Sequence, residues 1–188
     1  MNVKIQETPD PHTLKFVLNK EILEQHVTYL FQTEQESKVS PLAQEIFKLT
    51  GIKSILLGSN FVSITKNHDV GWDKLQSRLS NIVVEYVSSE QEMIIDYNFY
   101  SDQDNDDSKN LDDEIVKQII ELIDTMVRPT VAEDGGDIKF ASFKDGVVYL
   151  TLHGACSGCP GATFTLKVWI ENMLKRYIPE VIEVRQVE

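Results

Sequence analysis

The chain has 188 residues, 41% of them hydrophobic and 26% charged, the balance of a globular protein rather than a disordered or fibrous one. Its formal charge is −12; proteins that hold phosphate backbones show a basic face, so nucleic acid is not an expected partner. Apolar runs such as Ile82-Val83-Val84 are only a few residues long, far short of the ~18–20 that a membrane-crossing helix needs.

Thr13 to Leu18 alternates apolar and polar residues as a strand does. Ser40-Pro41 then opens a helix, because Ser can cap and Pro is pre-set for the first helical position. Leu42, Ile46 and Leu49 form its apolar face, and Gly51 suits a left-handed stop. Ile52 to Leu57 and Phe61 to Thr65 read as strands joined through Gly58-Ser59-Asn60. A second helix is expected from Trp72 to Val87, with Leu75, Leu79, Ile82, Val83 and Tyr86 on one side. Met93 to Tyr97 reads either as a short strand or as the start of the next segment.

That segment is acidic. Residues 89–114 carry ten acidic side chains and one basic one, so most of the net charge falls there. Ser101 to Asn110 contains no apolar residue; it cannot bury surface to offset the entropy of ordering, and its charges repel. The expectation is a flexible linker over 98–110, separating a domain at 1–97 from a domain at 111–188.

The second domain opens with a helix that Asn110 or Asp112 can cap, with Ile115, Ile119, Leu122, Ile123 and Met126 at helical spacing and Arg128-Pro129 as its stop. Glu133 to Asp137 reads as a turn. Ile138 to Phe143 and Val147 to Leu152 alternate as strands around Lys144-Asp145-Gly146, a strong hairpin signal. A helix from Ala162 to Tyr177, with Phe164, Val168 and Met173 among its apolar residues, precedes a last strand over Val181 to Val187. Trp72 and Trp169 are expected in the core. The fold class is α/β (α+β): two small domains, the second ordered α-β-β-α-β.

Cys156 and Cys159, the only two cysteines, carry the chemistry. They make no disulfide framework. Met1 to Glu7 has neither the apolar core of a signal peptide nor the Arg- and Ser-rich character of a transit peptide, so the expected location is the cytoplasm. Two intervening residues let both sulfurs converge on one metal ion. Gly154, Gly158 and Gly161 keep the loop slim, and the following helix start favours thiolate over thiol. The expectation is two acidified thiols on an exposed loop.

Two thiolates fill half a site, because structural zinc or an iron–sulfur cluster takes four protein ligands as a rule. The simplest completion is a second copy of the chain at a two-fold axis. Three rival readings stand beside it: a thioredoxin-like dithiol oxidoreductase, a zinc site completed by a histidine, of which only His153 is close in sequence, and inert structural cysteines.

Two stretches resemble a known family. Arg128-Pro129-Thr130-Val131-Ala132-Glu133-Asp134-Gly135-Gly136-Asp137-Ile138 with Gly154-Ala155-Cys156-Ser157-Gly158-Cys159-Pro160 is similar to the C-terminal domain of NifU as found in Nfu proteins. Thr8-Pro9-Asp10-Pro11-His12, Ser40-Pro41-Leu42-Ala43 and Phe61-Val62-Ser63-Ile64-Thr65-Lys66 resemble the Nfu N-terminal domain. The resemblance implies an iron–sulfur carrier rather than an enzyme. It implies a [4Fe-4S] cluster bridging two subunits, ligated by Cys156 and Cys159 of each, in a protein that is a homodimer when loaded. The implied partners are an upstream cluster-assembly scaffold and apo iron–sulfur client proteins. Gly161 and Ala162 depart from the family, which often has hydroxyl residues there.

Overall fold

The computed structural model describes residues 3–24, 27–89, 91–96, 114–158 and 160–187, with the backbone alone at 157, 158 and 160–163. Cys159, the 98–110 segment, the proposed caps Asn110 and Asp112, and Tyr97 lie outside the described residues.

The N-terminal domain is a five-stranded antiparallel sheet in the order β1-β2-β5-β4-β3, built from β1 (Lys4–Glu7), β2 (Thr13–Val17), β3 (Tyr29–Phe31), β4 (Ile52–Leu57) and β5 (Phe61–Lys66). Helices α1 (Pro41–Phe47) and α2 (Trp72–Ser88) belong to the same domain. Ser40 caps α1 as expected, its hydroxyl accepting from the Ala43 amide at 3.4 Å, with Pro41 in the first turn. The core gathers Leu14 and Phe16 of β2, Ile55 and Leu57 of β4, Val62 and Ile64 of β5, and Leu42, Ile46, Leu79 and Val83 of the helices. Met93 and Ile94 join it as irregular chain, held by the Ile95 amide donating to the Val39 carbonyl at 2.8 Å. Neither a strand nor a helix forms over the described part of that stretch.

An antiparallel sheet with one solvated face shows an alternation of buried and exposed residues. Strands β2 and β5 do not: Thr13, Lys15, Ser63 and Thr65 are buried although they point away from the hydrophobic core. Their face is covered by the C-terminal domain.

That domain starts with α3 (Glu114–Leu122), runs through one wide π turn (Ile123–Val127) and continues as α4 (Arg128–Glu133). Pro129 therefore does not end the helix, contrary to expectation. Proline has no N–H to donate, and the π turn changes the hydrogen-bond register just before it, so the helix absorbs the ring near the start of α4. Strands β6 (Gly136–Lys144) and β7 (Val147–Gly154) form the expected hairpin, each longer than predicted, so Gly136 and Asp137 belong to β6 rather than to a turn. The short helix α5 (Ala155–Gly158) and the long helix α6 (Pro160–Tyr177) cross back to β8 (Glu183–Gln186), which pairs parallel with β7, as a helical crossover allows. The α-β-β-α-β order is the one expected.

Helix α6 buries Ile170, Met173 and Leu174 against Ile119, Ile138, Leu150 and Val184, with Leu166 packed alongside. Phe164, Val168 and Trp169 point outward, Phe164 with 69% of its surface exposed. The expectation that Trp169 is core is thus corrected: the buried stripe runs through 166, 170, 173 and 174, a spacing that leaves 164, 168 and 169 on the other side.

Candidate functional site

Cys156 sits in α5, the single turn between β7 and α6. Three pieces of local backbone place it. Gly154 ends β7 in the left-handed region at φ +63°, which a side chain adopts only at a cost. The Ala155 amide then donates to the Gly135 carbonyl at 3.3 Å, folding the turn back onto the start of β6. There Gly136 pairs with Gly154 across the ladder and lies directly under the thiol: a Cβ on Gly136 would stand 2.4 Å from Sγ of Cys156.

The setting differs from the expected exposed, acidified loop. Cys156 is only 7% exposed. Burial, with smaller contributions from the carboxylates of Asp134 and Asp137, pushes its thiol pKa up to about 12. Desolvation thus outweighs any favourable dipole from the helix start, because a thiolate loses hydration that a single turn of helix does not replace. A cavity of about 50 Å³ beside the thiol is lined by Val131, Asp134, Leu166 and, from the N-terminal domain, Pro9. That is room for a few water molecules.

Charged side chains brace the start of β6. Asp137, 1% exposed, pairs with Arg128 at 3.3 Å. Arg128 also meets Asp124 at 3.2 Å and donates from Nη2 to the Ile138 carbonyl at 3.1 Å. The Thr28 hydroxyl of the N-terminal domain donates to Asp137. His153, the strand partner of Asp137, is held below the usual imidazole pKa by burial. Among the described residues, no three His, Cys, Asp or Glu side chains converge as a metal site would require.

Sequence reasoning missed Lys15. Its ammonium reaches across the domain boundary and donates to the carbonyls of Ala132 at 2.6 Å and Glu133 at 3.2 Å, at the C-terminal end of α4. Burial lowers its pKa, and Glu133 and Asp134 partly offset that. The one signal in the sequence was a lysine in the middle of an apolar strand, Leu14-Lys15-Phe16, whose partner cannot be read from local pattern.

Comparison with known proteins gives the following. A family model described as "NifU-like domain" matches residues 119–185, and one described as "Scaffold protein Nfu/NifU N terminal" matches residues 3–90. The chain is 39% identical over 188 residues to the human "NFU1 iron-sulfur cluster scaffold homolog, mitochondrial", covering all of this chain and 72% of that protein. It is 39% identical over 189 residues to the Drosophila willistoni protein of the same name, covering 64% of it. Among solved structures, the NMR structure of a NifU-like protein from Saccharomyces cerevisiae matches at TM-score 0.43 and 22% identity, over 50% of this chain and 84% of that one. The crystal structure of Staphylococcus aureus protein SAV1430 matches at TM-score 0.40 and 25% identity, over 44% of this chain and 99% of that one. The human and fly relatives are named mitochondrial, which overturns the expectation of a cytoplasmic protein.

Proposed function

The chain belongs to the Nfu family of iron–sulfur cluster scaffold proteins, and from that premise we propose that it carries a [4Fe-4S] cluster between two copies of itself and hands it to apo-proteins. Cys156 and Cys159 of each copy supply the four thiolates. The observation that carries this reading is the shortage of thiolates: the chain has only two cysteines, three residues apart. A cluster wants four protein ligands, and a second copy supplies the missing pair.

Helix α6 supports the dimer. It follows the cysteine turn with Phe164 and Val168 exposed one helical turn apart, an apolar stripe that a second copy would cover. A site split between subunits opens when they part, which suits cargo rather than a permanent metal. Release proceeds by ligand exchange: client thiolates bind iron one at a time as the carrier's thiolates leave and take up protons. The N-terminal domain, joined through 98–110, docks the client, and an upstream assembly scaffold supplies the cluster.

The buried Cys156 thiol, its pKa pushed up to about 12, has to lose its proton in either reading, as a cluster ligand or as the attacking group of a dithiol oxidoreductase. Anaerobic reconstitution with iron and sulfide separates the two readings. The carrier turns brown, with broad absorption near ~400 nm, and Cys156→Ala or Cys159→Ala abolishes the colour. A colourless protein that catalytically reduces disulfides would overturn the proposal.

A further inference from the structure

The second face of the N-terminal sheet is an unusual surface to bury. It is made of Thr13, Lys15, Leu56, Ser63 and Thr65, mostly small or polar, and the C-terminal domain lies on it through β7 and the turn at 134–136. Lys15 is 8% exposed, with its ammonium against the last carbonyls of α4, where the helix dipole is negative. Thr28 reaches Asp137. Leu56 presses on Gly154, Ser63 on Gly135, and Pro9 lines the cavity beside Cys156. Two of these C-terminal partners flank the cysteine turn: Gly154 precedes it, and the Gly135 carbonyl accepts from the Ala155 amide.

The same contact is built to come apart. The Ser63 hydroxyl is buried and, among the described residues, has no hydrogen-bond partner, a penalty that separation of the domains would remove. A cleft of about 690 Å³ runs along the junction between Leu30, Lys53, Thr65 and Lys66 on one side and Thr151 and His153 on the other. A polar, gapped interface of this kind is typical of domains that move. With the domains together, the cavity beside Cys156 is about 50 Å³, too small to admit part of a second subunit.

We propose that the N-terminal sheet face is an intramolecular latch: it docks on Gly135 and Gly154 beside the cysteine turn of its own chain, brings Pro9 to the cavity next to Cys156, and must swing away before two chains can share a cluster. This inference rests on the shared-cluster reading for its purpose but on the domain contact for its existence. The latch also links the two jobs of the N-terminal domain. The face that docks beside the cysteine turn is freed only in the open, cluster-competent state, and a client that binds this face holds the carrier open.

The test uses the full-length, metal-free chain. Lys15→Glu puts a carboxylate against the α4 carbonyls, and Thr28→Glu, separately, puts one against Asp137. Iodoacetamide alkylation of Cys156, localised by tandem mass spectrometry, should accelerate in each variant by roughly 5–150-fold, the range of an ordinary two-state coupling. Small-angle scattering of the wild-type chain should give a radius of gyration near the ~16 Å of one compact body of this length, with a clear increase in both variants. Cluster loading from iron and sulfide should be faster in the variants. Wild-type alkylation rates in two folded variants, an extended wild-type particle, or faster alkylation without faster loading would each overturn the latch. If neither wild type nor variants load a cluster, the reading under Proposed function fails, and alkylation and scattering still decide whether the domains latch.

Discussion

Replacing Gly136 by alanine tests whether the geometry around the thiol is as tight as described. The added Cβ would stand 2.4 Å from Sγ of Cys156, 3.0 Å from its Cβ and 3.0 Å from the His153 carbonyl oxygen. The carbonyl belongs to the β6–β7 ladder and cannot retreat without breaking the pairing of Asp137 with His153. The Cys156 side chain is short and enclosed, so the strain falls on α5. Overpacking of this kind costs about 1–3 kcal/mol. In a domain of this size each kcal/mol lowers the melting temperature by about 4–8 °C. Circular dichroism of the metal-free protein should show that loss, and reconstitution should show a reduced cluster yield because Cys156 has been displaced. Gly154→Ala should cost more. Its Cβ would meet the Gly135 carbonyl oxygen at 2.6 Å, and the left-handed backbone adds about 1–2 kcal/mol. A Gly136→Ala protein that melts with the wild type and loads a full cluster would show that Cys156 is not seated on β6 as described.

Three further outcomes follow from the same structure. Arg128→Met strips the buried Asp137 carboxylate of its ion partner and should destabilise the chain by about 3–5 kcal/mol in urea unfolding; adding Asp137→Asn should restore much of that, and a neutral Arg128→Met would contradict the pairing. The Cys156 thiol, whose pKa lies at about 12 against an ordinary 9.0, should alkylate ever faster with rising pH, with no plateau near pH 9. Because the folded state favours the protonated thiol, stability from this group is complete below about pH 9 and is lost as pH rises toward about 12; a rate plateau near pH 9 would refute the burial. Phe164→Asp, at a residue 69% exposed, should leave the metal-free melting temperature unchanged while lowering the yield of cluster-bridged dimer, which size exclusion of reconstituted protein reads directly.

Local pattern carried much of the fold. Ser40-Pro41 at one end and Gly51 at the other bracketed α1, and the Lys144-Asp145-Gly146 turn located the β6–β7 hairpin. Both depend on short-range sterics that neighbouring residues state in full. Strands β1 and β3 were missed, at four and three residues: too short for alternation to show, they exist because β2 and β4 offer edges. Pro129 misled because the π turn before it is a medium-range adjustment that no single residue announces. The face of α6 was misjudged because Phe164, Val168 and Trp169 are as apolar as Leu166, Ile170 and Leu174; only the position of the sheet decides between them. The same holds at the site. The spacing of Cys156 and Cys159 spoke of a shared metal, but Cys156 is buried among residues such as Ile138 and Ile170, and its adjoining cavity is lined in part by Pro9, more than a hundred residues away in sequence.

The central claim, a cluster held half by each of two chains, is tested most directly by native mass spectrometry of the anaerobically reconstituted protein, with Mössbauer spectroscopy on the same sample. The expected species has two chains carrying one cluster of four irons and four sulfides, and it is absent when Cys156 or Cys159 is replaced. A single chain carrying a complete cluster by itself would contradict it.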